Sequence, residues 1–268
     1  MVILIFLKIF SVLIRLPNKE LDMELNFTSS NLTNSNTSLL SRFNSLVTAQ
    51  VASLQPPELE KELAIMFLDI RNFTGLMESR PAREVVQVVK RLFSMFGQIV
   101  KSFGGTVVET AGDSLYAVFG MGGAIKEAVN ESYQAAKMIF DTIDLFNAAH
   151  GNENRGELLE IGIGLHKGEV VIGQSSLDGQ SKLSVMGFPV NIASRLQTKT
   201  KELNNDLLVS EEAYQLLDGR VPLPERRCIS LAGVSSTQEV RLLGKPYYTR
   251  GAQREDETYL DYIIAFSG

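Results

Sequence analysis

The chain is 268 residues long, 44% of its residues are hydrophobic, and its formal net charge at pH 7 is −5. This length suffices for one large domain with extensions, so a second catalytic domain is not expected. The negative charge argues against nucleic acid as the main partner, because phosphate backbones select basic surfaces. The single cysteine, Cys228, excludes a disulfide within the chain and indicates an intracellular, cytoplasmic protein.

An apolar segment occupies residues 1–22. Its most apolar part, residues 1–16, is shorter than the roughly 20 residues that span a bilayer, and Lys8 interrupts it. A signal peptide is not predicted either, because no basic region precedes the apolar run and no small-residue cleavage site follows it. Two interpretations stay open: a weak membrane anchor, and a start codon assigned too early, with Met23 as the true first residue.

Residues 23–58 are predicted to form a polar linker followed by a short helix. The tract 24–38 is rich in Asn, Ser and Thr and has no periodicity, which is typical of a flexible linker. From 39 to 54 apolar residues recur at helical spacing until a Pro-Pro pair ends the run. This helix is expected to contribute to a dimer of the chain.

The pattern from 59 to 246 predicts one α+β domain, and residues 247–268 form a tail without an assigned role. Apolar runs, several of them rich in Val and Ile, predict strands, and longer runs with helical periodicity predict three helices. The order β-α-β-β-α-β indicates a ferredoxin-like core, an antiparallel-rich sheet with helices on one face. The predicted strands are 63–70, 105–110, 114–120, 159–173, 182–187, 207–209 and 237–243, and the predicted helices are 83–103, 124–150 and 189–203.

Two carboxylates stand at the ends of apolar strands. Asp69 follows Ile-Met-Phe-Leu, and Asp113 lies in Glu-Thr-Ala-Gly-Asp-Ser-Leu between two strands. Taken singly, each Asp fits a turn or a helix cap, but folding could bring both to one rim of the sheet. Mg²⁺ and Mn²⁺ prefer oxygen ligands and are held by one or two carboxylates plus substrate phosphates. The pair therefore indicates nucleotide chemistry.

A third segment carries Asn191 and Arg195, four residues apart on the last predicted helix, where they share one face and can reach a single ligand. This segment, the two aspartate segments and the run 161–173 together resemble the catalytic domain of class III nucleotidyl cyclases. The resemblance extends from about residue 61 to about residue 243. It is specific, because four separate motifs agree in order.

The resemblance implies a two-metal mechanism. Asp69 and Asp113, with the carbonyl of Ile70, are expected to bind two divalent ions, Mn²⁺ or Mg²⁺, around a nucleoside triphosphate. Asn191 and Arg195 are expected to stabilise the transition state. The product is then a 3′,5′-cyclic nucleotide, and the leaving group is pyrophosphate.

The chemistry of cyclisation asks for the same groups. Attack of the ribose 3′-hydroxyl on the α-phosphorus needs a deprotonated hydroxyl, a neutralised phosphorane and a held pyrophosphate. Arg195 can place a guanidinium on the phosphoryl oxygens, and the Asn191 amide can hold the ribose in line. Backbone amides at the start of a helix, from 71 to 74, would cradle the β- and γ-phosphates. The substrate-binding residues predicted in this region are Phe67, Arg71, Asn72, Phe73 and Thr74.

Two further positions are expected to read the base. Adenylate-forming relatives carry Lys four residues before the second metal Asp, and an Asp or Thr three residues before the Gly of a Gly-x-x-Val-Asn motif. Those positions are Glu109 and Ser184 in this chain. A carboxylate accepts from N–H groups but cannot donate to adenine N1, so adenine is disfavoured.

Guanine, uracil and cytosine each offer an N–H donor to Glu109, so all three stay open. The hairpin from Val108 to Thr110 resembles guanylate cyclases, although Ser184 stands where those enzymes commonly carry Cys. The lack of a recognisable sensor or second catalytic module resembles the stand-alone pyrimidine cyclases of bacterial phage-defence systems. On that resemblance we expect a uridylate or cytidylate cyclase that makes a second messenger for antiviral defence. A guanylate cyclase in signalling is the alternative.

The cyclase family builds each active site between two protomers, with the metal aspartates from one and the base-reading and transition-state residues from the other. This chain has both sets, so the resemblance implies a homodimer with two shared sites and an inert monomer. Exposed apolar residues near Phe73 and Val190 are then expected at the interface. An anchor formed by residues 1–16 would add a membrane contact.

Some positions depart from the family pattern. Ala232 replaces a Lys that contacts the leaving phosphates in many relatives, and Arg71 or Lys167 is expected to compensate. Phe188 fits either a reshaped base pocket or packing at the start of the helix, and His166 is expected to be structural. These departures leave a second class of function open, a catalytically inactive domain that binds a nucleotide or regulates a partner.

Overall fold

The computed structural model of the chain describes residues 59–79, 81–151, 158–177, 180–219 and 224–247. The apolar segment 1–22, the linker and helix 23–58 and the tail beyond Tyr247 lie outside the described residues.

One sheet of eight strands and five helices make up the described part of the chain. The strands are β1 Leu59–Ile70, β2 Gly105–Ala111, β3 Ser114–Phe119, β4 Ile161–Leu177, β5 Gln180–Met186, β6 Leu207–Ser210, β7 Glu225–Ile229 and β8 Gln238–Leu242. The helices are α1 Phe73–Ser79, α2 Ala82–Ser102, α3 Ile125–Gly151, α4 Phe188–Glu202 and α5 Glu211–Tyr214.

The sheet has the order β2-β3-β1-β4-β6-β8-β7, and β5 pairs with β4. Only the β4–β6 pair is parallel among the pairings of the described strands, which confirms the predicted α+β class and its antiparallel-rich sheet. Neither β7 nor α5 was predicted. Because β7 reads Glu-Arg-Arg-Cys-Ile and lies at the end of the strand order with four of its five residues exposed, it lacks the apolar alternation that marks a half-buried strand.

Successive residues of β1 face opposite sides of the sheet. Ala64, Met66 and Leu68 pack in the largest core cluster, which holds the buried faces of α2 and α3. Leu63 and Ile65 face the other side, where they share a cluster with Ala193 of α4. The prediction that the helices lie on one face was therefore wrong, because α4 covers the face opposite α2 and α3.

Glycines in β4 allow α4 to approach this second face closely. A Cβ at Gly164 would lie 2.6 Å from the carbonyl oxygen of Ala193, and one at Gly162 would lie 2.5 Å from Oγ1 of Thr200. A Cβ at Gly168 would overlap Pro189. The helix therefore runs along β4 from Gly168 towards Gly162, while Ile161, Ile163 and Leu165 point into the core on the other side.

As predicted, His166 has a structural role in the part of the chain that the structure describes. Its side chain is buried, and Nδ1 lies 2.8 Å from the hydroxyl of Ser210. Burial lowers the pKa of His166 to about 4; the negative charge of Glu212 opposes this shift, and the positive charge of Lys167 adds to it. The folded protein therefore holds this imidazole neutral at physiological pH.

This lowered pKa predicts a loss of stability in acid. The unfolded chain protonates His166 below about pH 6.5 and the folded chain only near pH 4, so the free energy of unfolding falls as the pH decreases through that interval. The full shift corresponds to about 3 kcal/mol. Urea unfolding of the wild type and of His166→Gln at pH 7 and pH 4.5 should show a smaller pH effect in the variant. Equal effects in both proteins would contradict this assignment.

Candidate active site

The end of β1 and the β2–β3 hairpin bring the two predicted metal residues together. Asp69 pairs with Ser114 across the sheet, and the N–H of Ile70 donates to the carbonyl oxygen of Asp113 over 3.1 Å. Gly112 and Asp113 form the turn, and the φ of 59° at Gly112 is what a type II′ turn requires at its first central residue. Asp113 therefore lies in the turn itself, between the two strands.

The electrostatics of this rim suit a cation. The Ser114 hydroxyl donates to the Asp69 carboxylate over 2.6 Å. Burial raises the pKa of Asp69, the Ser114 hydrogen bond opposes that shift, and the negative charge of Asp113 raises the pKa further. The positive charges of Lys201 and Arg71 act in the opposite direction. Two carboxylates that repel each other through a half-buried site would gain from a divalent ion between them.

Oxygen ligands other than carboxylates would have to complete such a site. Among the described residues, no group of three or more His, Cys, Asp or Glu side chains is placed to hold a metal ion. Mg²⁺ and Mn²⁺ are commonly bound by one or two carboxylates together with substrate phosphates and water. The pair Asp69 and Asp113, with the carbonyl of Ile70 as a further ligand, fits that donor set and requires the triphosphate to fill it.

The predicted phosphate segment follows β1 directly. Asn72 adopts a φ of 54°, its carbonyl accepts the N–H of Leu76 over 3.0 Å, and α1 begins at the next residue, Phe73. Asn72 and Thr74 are exposed. The N–H of Arg71 donates to the carbonyl of Glu160 over 2.8 Å, so this amide is not available for phosphate, and that part of the prediction was wrong.

The predicted base-reading residues lie on strands that meet at Tyr116. The ring of Phe67, on β1, stacks on the ring of Tyr116, on β3, with centroids 4.6 Å apart and planes at 7°. Glu109, on β2, is the strand partner of Tyr116. The Tyr116 hydroxyl donates to the carbonyl of Val185 over 3.2 Å, next to Ser184 on β5. Burial raises the pKa of Tyr116 above its usual range. Sequence reasoning missed Tyr116, although a Tyr two residues from a hairpin Asp-Ser is a visible signal.

Asn191 and Arg195 lie on the part of α4 that faces away from the sheet clusters. Asn191 is exposed, and Arg195 is half-buried with its guanidinium beside Gly233. The other end of α4 lies at the metal rim, because Thr200 covers Gly162, the strand partner of Asp69. At 1.5 Å per residue, Asn191 lies about 13 Å back along the helix from Thr200. A single chain therefore places Asn191 away from Asp69 and Asp113, and Arg195 lies about 7.5 Å back along the helix from Thr200.

Large apolar side chains are exposed at the start of α4. Met186 is 64% exposed and Phe188 is 57% exposed, both within a few residues of Asn191. Of the two explanations offered for Phe188, packing within the chain was therefore wrong. Exposed apolar patches beside polar residues are typical of interaction surfaces. Phe73 and Val190, the predicted interface markers, are half-buried.

The basic residues near the metal rim differ from expectation. Lys167 forms an ion pair with Glu62 and is paired with Ala64 on β1, five residues before Asp69, so within one chain it lies away from the two aspartates. Lys201, in the last turn of α4, is instead the first cation whose charge lowers the pKa of Asp69. The position of Lys201 near Asp69 depends on where α4 packs, and no sequence motif predicts it.

No helix in the described ranges is long and apolar enough to cross a membrane.

The sequence has recognisable relatives. Over 150 residues it is 29% identical to "Adenylate cyclase 1" of Rhizobium meliloti (strain 1021), and this alignment covers 56% of this chain and 22% of that protein. Over 160 residues it is 26% identical to "Adenylate cyclase" of Anabaena cylindrica, covering 59% of this chain and 31% of that protein. The chain thus spans less than a third of the length of either relative.

Solved structures share the fold of this chain, and a family model identifies its family. The adenylyl cyclase CyaB from P. aeruginosa superposes with a TM-score of 0.63 at 22% identity, over 75% of this chain and 100% of that one. The guanylyl cyclase Cya2 gives 0.62 at 21% identity, over 74% and 99%. The model of the family "Adenylate and Guanylate cyclase catalytic domain" matches residues 56–249, well over half of the chain. The chain therefore belongs to the adenylate and guanylate cyclase catalytic domain family.

Proposed function

We propose that the chain is a nucleotidyl cyclase that converts a nucleoside triphosphate to a 3′,5′-cyclic nucleotide and pyrophosphate. One observation carries the proposal: the chain holds a paired-carboxylate rim at Asp69 and Asp113 and, on the outward side of a separate helix, Asn191 and Arg195. Membership of the cyclase family supports the same reaction.

In this reaction the ribose 3′-oxygen forms a bond to the α-phosphorus, and the bond from that phosphorus to the bridging oxygen of pyrophosphate breaks. The proton of the 3′-hydroxyl leaves, and pyrophosphate carries away the negative charge. Two divalent ions, Mn²⁺ or Mg²⁺, supply charge neutralisation and a lower pKa of that hydroxyl when bound. Asp69, Asp113 and the carbonyl of Ile70 would hold them, and Asn72 and Thr74, which are exposed, would contact the outer phosphates.

A homodimer is proposed as the active species. In one chain Asn191 lies about 13 Å back along the helix from the metal rim, which supports a partner that supplies the second half of each site. The exposed side chains of Met186 and Phe188 beside Asn191 support an interface at that surface. A guanylyl cyclase domain from Blastocladiella emersonii, 23% identical and with a TM-score of 0.54, is described as "non-canonical dimeric".

A pyrimidine is proposed as the base, with UTP or CTP as the substrate. Glu109 is exposed beside the Phe67–Tyr116 stack, where its carboxylate can accept an N–H from a base edge. Uracil N3–H and the cytosine N4 amine are such donors, and so are guanine N1–H and its amine, which keeps GTP as the alternative. A role in antiviral defence rests only on the resemblance to the pyrimidine cyclases.

The experiment that tests the activity is direct. The purified full chain is incubated separately with ATP, GTP, UTP and CTP in the presence of Mn²⁺, and cyclic products are identified by mass. A cyclic nucleotide from at least one triphosphate is expected. No product from any of the four, with protein that is shown to be folded and dimeric, would favour the second class, a nucleotide-binding or regulatory domain without turnover.

The base assignment predicts the effect of Glu109→Gln. Losing the charge weakens the acceptor, and a wrongly oriented amide leaves polar groups unpaired, so kcat/KM for the preferred triphosphate should fall about tenfold to a hundredfold. Glu127→Gln, at an exposed glutamate in the first turn of α3, is the control and should be unchanged. ATP should remain a poor substrate of the wild type. Strong, selective cyclic AMP synthesis by the wild type would refute the base assignment and leave the cyclase assignment standing.

A further inference from the structure

Arg71 is held between the metal rim and the first residue of the C-terminal tail. Its Cζ atom lies 3.9 Å from the centroid of the Tyr247 ring, which places the guanidinium over the aromatic face. The backbone of Arg71 is fixed as well, because its N–H donates to the carbonyl of Glu160 over 2.8 Å. Both the backbone and the guanidinium of Arg71 therefore have defined contacts.

Tyr247 reaches under the end of α4 to the strand position beside Asp69. A Cβ at Gly162 would lie 2.8 Å from the Tyr247 hydroxyl and 2.5 Å from Oγ1 of Thr200. Gly162 is the strand partner of Asp69. Because Gly162 has no side chain, the Tyr247 hydroxyl can lie beside this strand position without a steric clash.

The chain after β8 is pinned so that Tyr247 arrives at this place. The N–H of Leu243 donates to the carbonyl of Leu207 over 3.0 Å, and the N–H of Gly244 donates to Oδ1 of Asn205 over 3.0 Å. The N–H of Lys245 donates to the carboxylate of Asp206 over 2.7 Å. Successive hydrogen bonds therefore anchor the segment that leads to the tyrosine.

The charge states suit a cation–π contact at neutral pH. An arginine guanidinium is charged at neutral pH. Burial raises the pKa of Tyr247 to about 12, so the phenol stays neutral. A guanidinium over a neutral aromatic face is attracted to it, and the contact strengthens when water is excluded.

We infer that Tyr247 is a positioning residue that holds the Arg71 guanidinium at the metal rim, ready to bind the outer phosphates of the substrate. The inference rests on the proposed function, because it assigns Arg71 to the triphosphate of that same site. The planar guanidinium can form two parallel hydrogen bonds to a phosphate only if its orientation is set, and stacking on a ring sets it. Arg71 lies two residues after Asp69, and the ring on which it stacks extends to Gly162, the strand partner of Asp69.

The test measures binding of inorganic tripolyphosphate with Mn²⁺ to the full chain by calorimetry. Tyr247→Phe keeps the ring and should bind as the wild type does. Tyr247→Leu removes the ring and should weaken binding about three- to tenfold. Arg71→Ala should weaken binding at least as much, and the double variant should be no weaker than Arg71→Ala alone.

That last comparison separates positioning from general stability. A merely structural role for Tyr247 would weaken binding by the same factor with and without Arg71, and this result would overturn the inference. Tighter binding by Tyr247→Leu would also overturn it, because it would mean that the ring withholds the guanidinium from phosphate. Arg71→Lys keeps the charge but loses the stacked plane, so it should reproduce the loss even if Tyr247→Leu fails to fold.

The binding measurement does not depend on turnover. If no triphosphate is cyclised but the coupling between Tyr247 and Arg71 is found, the proposed reaction fails and the positioning role stands. If cyclisation is found and the two substitutions act independently on tripolyphosphate binding, the positioning role fails and the proposed reaction stands.

Discussion

Asp69→Ala and Asp113→Ala should each lower kcat by about a thousandfold or more and leave the protein folded. Each carboxylate would hold metal ions that neutralise the phosphorane and the leaving pyrophosphate, and loss of even one stabilising group of this kind commonly costs a hundredfold to a thousandfold. Folding should not suffer, because burial and the negative charge of Asp113 already disfavour the charged form of Asp69. Steady-state kinetics over a range of Mn²⁺ concentrations and thermal unfolding provide the measurements.

Asp141→Ala is the matched control, since Asp141 is an exposed carboxylate on α3 that is remote in sequence from both aspartates. It should retain wild-type kcat. If Asp69→Ala or Asp113→Ala kept more than about a tenth of the wild-type kcat, the two-metal mechanism would have to be abandoned. A large drop in unfolding temperature would instead show that the rim contributes to stability.

Mixing inactive Asp69→Ala with inactive Arg195→Ala should restore about a quarter of the wild-type activity. Random exchange of subunits makes half of the dimers mixed, and one of the two sites in each mixed dimer has both wild-type halves. The measurement is the rate of cyclic nucleotide formation after equal amounts of the two variants have been incubated long enough to exchange subunits.

A second mixture provides the control for this experiment. Asp69→Ala mixed with Asp113→Ala should stay inactive, because both changes fall in the same half of the site and every site in the mixed dimer is damaged. Recovery in this mixture, or no recovery in the first one despite demonstrated subunit exchange, would contradict the shared site and return the reaction to a single chain.

Sequence alone predicted location best for residues that lie at the end of a strand. Asp69 and Asp113 end or connect apolar strands, so the prediction that they share a rim needed only the pairing of β1 with β3, and the structure confirms that they meet. The interpretation of Asn191 and Arg195 as one helical face likewise needed only the period of a helix. Their chemical roles stay predictions.

The features that sequence did not predict depend on contacts between distant parts of the chain. The face on which α4 lies follows from the glycines of β4, whose meaning is clear only once the helix is placed over them. The stack of Tyr247 on Arg71 joins residues far apart in sequence, and no periodicity marks it. The ion pair of Lys167 with Glu62 is a further example, because the two residues are 105 positions apart in sequence.

The close approach of α4 to β4 has a mechanical consequence for a dimer. β4 is paired with β1, which carries Asp69, and its glycines leave no layer of side chains on which the helix carrying Arg195 could slide. In the proposed dimer, this close packing is expected to make the two half-sites of one protomer move together. A rotation of one protomer against the other would then open or close both proposed composite sites by the same amount. A regulator of such an enzyme would act on a single variable, the angle between the protomers.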